Sequence, residues 1–205
     1  MKKLVFLFAI SFFTNSLIEK SSFDEMKADD SMSKFFTVNE LKELSKIVDF
    51  FEDEICFEKN KSKEVCYFDF NKKIIASALY GNKALELQID YKLQQKLCSE
   101  IDRLFFKEIW NHNIYLREGV KYADKAYNLN QFGKYMLFLE SLKEEDVLFR
   151  DFYKMFSLSN EISFGVNASA FNKLEIKEFK GIKRRLFFAI YYLTLNDKIN
   201  NHTRR

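Results

Sequence analysis

FTVNELKELSKIVDFFEDEICFEKNKSKEVCYFDFNKKIIASAL, running from Phe36 to Leu79, decides the fold of this chain. Thr37 and Glu40 have the spacing of a capping box, and Phe36 and Leu41 stand on either side as a hydrophobic staple. From there Leu41, Leu44, Val48, Phe51 and Ile55 alternate steps of three and four, which lines one face of a helix, while Glu40, Glu43, Asp49, Glu52 and Asp53 supply charge outside it. Asn60-Lys61-Ser62-Lys63 interrupts the pattern. Tyr67, Phe70, Ile74 and Ala78 then resume a helical stripe that is expected to stop near Gly81-Asn82. The stretch therefore predicts a pair of helices, each with one face to bury.

Cys56 and Cys66 each lie five residues from Lys61, so an antiparallel pair brings them opposite one another. A bond closing so short a loop contributes about 2–3 kcal/mol. Against it, packed helix axes run about 8–10 Å apart, wider than the roughly 5.5 Å between Cα atoms that a disulfide prefers. Bonded and free forms both stay open on sequence. Cys98, beside Leu97, is expected to be a buried free thiol behaving as a small apolar residue.

Outward toward the N-terminus, Lys2 and Lys3 precede a ten-residue apolar run, Leu4 to Phe13, and Thr14-Asn15-Ser16 offers small residues for cleavage. These residues, 1–16, read as a secretory signal. An uncleaved anchor or a buried helix is the alternative, although a run of ten falls short of the ~20 residues that span a bilayer. No Cys stands in the segment to accept a lipid, so the expected destination is periplasmic, extracellular or cell-surface and not that of a lipoprotein. Residues 17–35 are polar, without a period, and read as a flexible segment.

The chain has 205 residues with 24 Phe and 17% aromatic content. Removing a signal of sixteen leaves about 189 residues, enough for a single domain with its own core. A net charge of +3 is too small to argue for nucleic acid. The remaining pattern predicts helices over Lys83–His112, Glu118–Tyr127 and from Asn130, with another from a capping-box spacing at Ser141 and Glu144. Ala84 to Ile89 alternates enough to permit a short strand. A last helix spans Asn172–Ile199, its segment Leu186–Leu195 apolar on nearly every face. The expectation is an all-α, single irregular domain of about five to seven helices over residues 36–199, with room for one short strand pair, and a disordered tail at 200–205.

Chemical motifs are scarce. The five Gly stand apart at 81, 119, 133, 165 and 181, so no Gly-rich phosphate loop or nucleophile elbow is present. No helical zinc or di-iron spacing occurs, and no cofactor or metal is expected. Glu108 and His112 are one helical turn apart, the minimal kit for acid–base work; the competing reading is a His near a helix end with no catalytic duty. Glu52-Asp53-Glu54 read as a solvated face. Lys183, Arg184 and Arg185 open the last helix and are candidates for an interaction surface. So is the Gly-, Asn- and Ser-containing stretch Ser157–Phe171, read as a loop, with Ser157, Asn160, Phe164, Gly165 and Asn167 in it.

The combined expectation is an exported, non-enzymatic binding or structural module with a protein partner. One alternative is a hydrolase or transferase using Glu108 and His112. Another is a peripheral protein that sets its basic-aromatic C-terminal helix on a membrane surface.

Overall fold

The computed structural model describes residues 20–58, 60–80, 86–117, 120–162 and 164–202. Among these, the first half holds α1 (Ser22–Ala28), α2 (Asp30–Phe35), α3 (Val38–Ile55), α4 (Lys63–Tyr80), α5 (Tyr91–Glu100) and α6 (Arg103–Ile109). An antiparallel pair follows, β1 (Trp110–Arg117) and β2 (Val120–Leu129), in register from Trp110↔Leu129 to Arg117↔Val120 with an irregularity between His112 and Ile114. Then come α7 (Lys134–Ser141), α8 (Val147–Ser159), α9 (Phe164–Phe171), a single 3-10 turn at Ile176–Phe179, and α10 (Ile182–His202).

The helix pair expected from Phe36–Leu79 is present. Thr37 Oγ1 accepts from the Glu40 amide at 3.3 Å, and Glu40 Oε2 accepts from the Thr37 amide at 2.6 Å, closing the capping box. Phe36 and Leu41 are both buried, as a staple requires, and so are Leu44, Val48, Phe51 and Ile55. On α4, Tyr67, Phe70 and Ile74 are buried, whereas Ala78 is exposed. The expected stop at Gly81-Asn82 lies outside the described residues.

Helix α10 is the axis of the fold. Every residue from Arg185 to Lys198 is buried, and α1, α3, α5, β2 and the 3-10 turn pack around it. Its aromatic side chains mesh edge-on with those of neighbouring elements: Phe187 with Phe152 at 4.8 Å, Phe188 with Phe171 at 5.0 Å, Tyr192 with Phe70 at 5.1 Å. Each fully buried Phe contributes about 1.5–3 kcal/mol of transfer free energy, and edge-to-face pairs add about 0.5–1.5 kcal/mol. A helix apolar all round is thereby used as a core helix, and the face that the membrane-surface alternative needs is occupied by this packing.

Ten α-helices among the described residues exceed the five to seven expected, and the reason is local. Asp29, Asp90, Asp102 and Asp146 each accept hydrogen bonds from amides two or three residues on, starting α2, α5, α6 and α8. An Asp at such a position acts as an N-cap that begins a new helix, so stretches that looked continuous are cut. The stretch 17–35, expected to be flexible, contains α1 and α2, with Met26 and Met32 fully buried. Ser157–Phe171 is not one loop: α8 runs to Ser159 and α9 starts at Phe164. The capping box expected at Ser141 and Glu144 does not form; the Ser141 hydroxyl donates back to the Phe138 carbonyl, and Asp146 starts the next helix. The last helix begins at Ile182, ten residues later than expected, and continues through residues 200–202, where a disordered tail is expected from the sequence. The proposed signal, residues 1–16, and the end of the tail, 203–205, lie outside the described residues.

The strand pair sits at 110–129, where helices were expected; of the stretch 84–89, which had the pattern for a strand, residues 86–89 form none and 84–85 lie outside the described residues. Val120, Ala123 and Tyr127 suit either period, and the hairpin's base has a specific anchorage. Trp110 Nε1–H donates to Thr194 Oγ1 at 2.8 Å, the Tyr127 amide donates to Asp197 at 2.6 Å, and Ala126 and Leu129 are buried. Tertiary contact with α10 outweighs local helical preference here.

Candidate functional site

The disulfide closes the turn between α3 and α4. Cys56 is the C-terminal cap of α3 and Cys66 lies in the first turn of α4; their Cα atoms are 5.3 Å apart and the sulfurs are bonded. The separation of helix axes that opposed such a bond does not apply, because the two cysteines sit at helix ends, where the chains converge. Cys56 is partly exposed and Cys66 buried. The bond holds the ends of a turn that carries Phe57, a large apolar side chain left 75% exposed.

Beside this bond is a cleft of about 220 Å³. Its floor is apolar, made by Ile55, Cys66, Phe70 and Ile74, all buried. Phe57 stands on its rim with a small set of charged groups. Lys61 Nζ bridges Glu58 and Asp69 at 3.1 Å each, and these two carboxylates raise its pKa above the usual lysine value. Lys73 Nζ donates to Gln88 Oε1 at 2.6 Å, tying α4 to the segment that leads into α5. An apolar floor with a few polar groups at the mouth is the usual make-up of a recognition pocket. Its volume suits one apolar side chain, and an exposed aromatic at the rim is the residue type that anchors interfaces.

Other groups singled out by the sequence are not brought together. Glu108 lies in the last turn of α6, where its carboxylate accepts from the Lys134 amide at 2.8 Å, so it fixes the start of α7. His112 is exposed on β1, its ring 4.9 Å from that of Tyr127. The shared helix face expected for Glu108 and His112 does not exist, since the helix ends between them. Cys98 is free, as expected, but partly exposed and not fully buried; burial, and secondarily Asp197, push its thiol up to about 12, which favours the protonated form at neutral pH.

Of the candidates on α8, α9 and the turn between them, Ser157, Asn160 and Asn167 make internal hydrogen bonds. Ser157 Oγ donates to the Tyr153 carbonyl at 2.7 Å, and the Asn160 carbonyl accepts from Asn128 Nδ2 at 2.6 Å with Asn160 in the left-handed region at φ 49°. Asn167 Nδ2 reaches Tyr191 Oη at 3.4 Å. Gly165 is exposed on α9, and Phe164 is its first residue. The basic start of α10 is likewise committed inward. Lys183 donates to Ser31 Oγ at 3.0 Å and lies near Asp29 and Glu145. Arg184 holds Asp146 and Glu178 at 2.7 and 2.9 Å. Arg185 is buried, holding Glu52 at 2.6 Å and also Glu25. Glu52, expected on a solvated face, is 6% exposed, and burial raises its pKa above the usual carboxylate value although Arg185 and Lys63 oppose that shift. All three cations are engaged in pairs within the chain; Arg185 is interior, while Lys183 and Arg184 stay partly exposed.

Sequence reasoning passed over Phe57, Phe70 and Ile74 as a site. The available signal was Phe57 itself, a large apolar residue directly after a cysteine and outside the α3 stripe. Among the described residues no helix is long and apolar enough to cross a membrane, and no group of three His, Cys, Asp or Glu is placed to hold a metal ion. No protein-family model, curated protein or solved structure matches the chain.

Proposed function

We propose that this protein is an exported, non-enzymatic interaction module that takes an apolar side chain of a protein partner into the cleft beside Cys56–Cys66. The observation that carries the reading is the exposed Phe57 held at the mouth of an apolar-floored cleft by a covalent bond. Fixing a turn before binding lowers the ordering cost that association must otherwise meet. Export is supported by the basic and apolar start of the sequence and by the disulfide, a bond that persists in oxidising compartments.

Two measurements test this separately. Mass spectrometry of protein recovered outside the cytoplasm is expected to show a new N-terminus near residue 17 and a mass two hydrogens below that of the reduced chain; an uncleaved chain confined to the cytoplasm refutes export. Short peptides carrying a single Phe, Leu or Trp are expected to shift the NMR signals of Phe57, Phe70 and Ile74 saturably. Phe57→Ser is expected to weaken them at least tenfold. Peptides that leave those signals unmoved refute the cleft as the binding site.

A further inference from the structure

The start of α10 has polar groups that the fold does not use. Gly181 precedes the helix and provides no side chain to cap it. The amides of Arg184 and Arg185 turn back to the Gly181 carbonyl at 3.1 and 3.2 Å, while those of Ile182 and Lys183 meet no acceptor among the described residues. Such amides at the head of a long helix carry roughly half a positive charge and favour anions; α10 has 21 residues.

Gly181 and Ile182 line a cleft of about 490 Å³, and Lys63, the first residue of the 18-residue α4, lines it too. The start of α4 is already capped by the Glu64 carboxylate, so the open helix N-terminus at this space is that of α10. Arg185 also borders it, with only 3% of its side chain exposed; its two terminal nitrogens hold Glu52 and Glu25, and its buried Nε–H has no acceptor.

Charge bookkeeping at the cleft separates used groups from unused ones. Its three carboxylates are engaged. Glu25 pairs with Arg185, Asp29 caps α2 and faces Lys183, and Glu64 is held by Ser62 and by its own amide at the start of α4. Lys20 and Lys180 line the same cleft, are exposed, and form no ion pair among the described residues. Lys180, with Arg185, acts electrostatically on Glu64 without pairing with it, and the groups left without an ion pair or acceptor are cationic or N–H in character.

We propose that this cleft binds an oxoanion, a phosphate or sulfate group, received by the α10 amides and by Lys20 and Lys180, with the guanidinium of Arg185 behind them. The site is independent of the disulfide cleft and stands or falls on its own measurement.

The test is thermal unfolding of the oxidised full chain against inorganic phosphate and sulfate, with ionic strength held constant by sodium chloride. A ligand that binds the folded state alone raises Tm with its concentration, so a saturable rise is expected. Response to one anion and not the other identifies the group. In Lys20→Ala/Lys180→Ala the apparent Kd is expected to rise at least tenfold. Gly181→Asp is the sharper variant, because a Cβ there meets nothing within 4 Å and its φ lies outside the left-handed region. The new carboxylate caps the helix amides itself, so Tm in chloride is expected to equal or exceed that of wild type while the anion response disappears. Wild type answering phosphate and sulfate no more than chloride overturns the proposal, as does Gly181→Asp responding like wild type.

Discussion

Replacing Arg185 by Met removes the cation from the centre of the molecule and leaves Glu52 in place. Glu52 is 6% exposed, and its nearest cation is then Lys63 at 3.0 Å, whose side chain is 23% exposed. Glu25, 25% exposed, loses the same partner but retains access to water. Breaking a buried pair from one side costs about 3–5 kcal/mol. For a domain of this size each kcal/mol shifts Tm by about 2–4 °C, so Arg185→Met is expected to lower Tm by roughly 6–20 °C. Removing the whole set is different. The Tyr67 hydroxyl donates to Glu52 at 3.5 Å, so a clean deletion is Glu52→Leu/Tyr67→Phe/Arg185→Met, which leaves no orphaned partner in the core. Apolar replacements of buried pairs are often neutral or stabilising by about 1–4 kcal/mol, and the triple variant is expected to match or exceed wild type. Urea unfolding followed by circular dichroism measures both. A single variant costing under about 1 kcal/mol, or a triple variant as damaged as the single, refutes the reading of this pair as desolvated charges.

Gly133→Ala is expected to destabilise by about 1–3 kcal/mol in the same assay, because the added Cβ would lie 2.3 Å from the Glu108 carbonyl oxygen; Gly165→Ala, which meets nothing within 4 Å, is the control expected to be neutral or stabilising. Removing the disulfide by Cys56→Ser/Cys66→Ser is expected to cost about 2–3 kcal/mol, since the bond joins positions ten apart, and an unchanged urea midpoint would contradict that. The pKa of Glu52 is raised by burial, so the stability that it contributes is full below its ordinary value of 4.5 and is lost as pH rises through the higher folded value. Glu40 has the opposite sign: burial works against it, but hydrogen bonds from Lys134 and Thr37 lower its pKa overall, so its contribution is present above 4.5 and is lost as pH falls through the lower folded value. Stability profiles of Glu52→Gln and Glu40→Gln against wild type between pH 3 and 8 are therefore expected to diverge from it in opposite directions with pH, and parallel profiles would contradict both signs.

Local signals on the chain were enough for the α3–α4 pair, its capping box and staple, and the cysteine spacing, because each depends on residues within one or two turns of one another. Mostly helical character and the burial of Leu186–Leu195 follow from period and composition in the same way. Everything that depended on a distant partner was out of reach. Whether Cys56 meets Cys66 turned on how two helix ends converge. The hairpin at 110–129 exists against an equal helical period because Thr194 and Asp197 receive its base. Arg185 became an interior cation because Glu52 and Glu25 come to it from 133 and 160 residues away. The cleft is of this second kind as well. Phe57 and the cysteines were visible in the sequence, but Ile55, Phe70 and Ile74 become its floor only when α3 and α4 fold against each other. Helix periodicity and capping are short-range steric and hydrogen-bonding effects that a sequence states directly; burial, ion pairing and cavities are properties of which surfaces meet, and only the tertiary structure decides that.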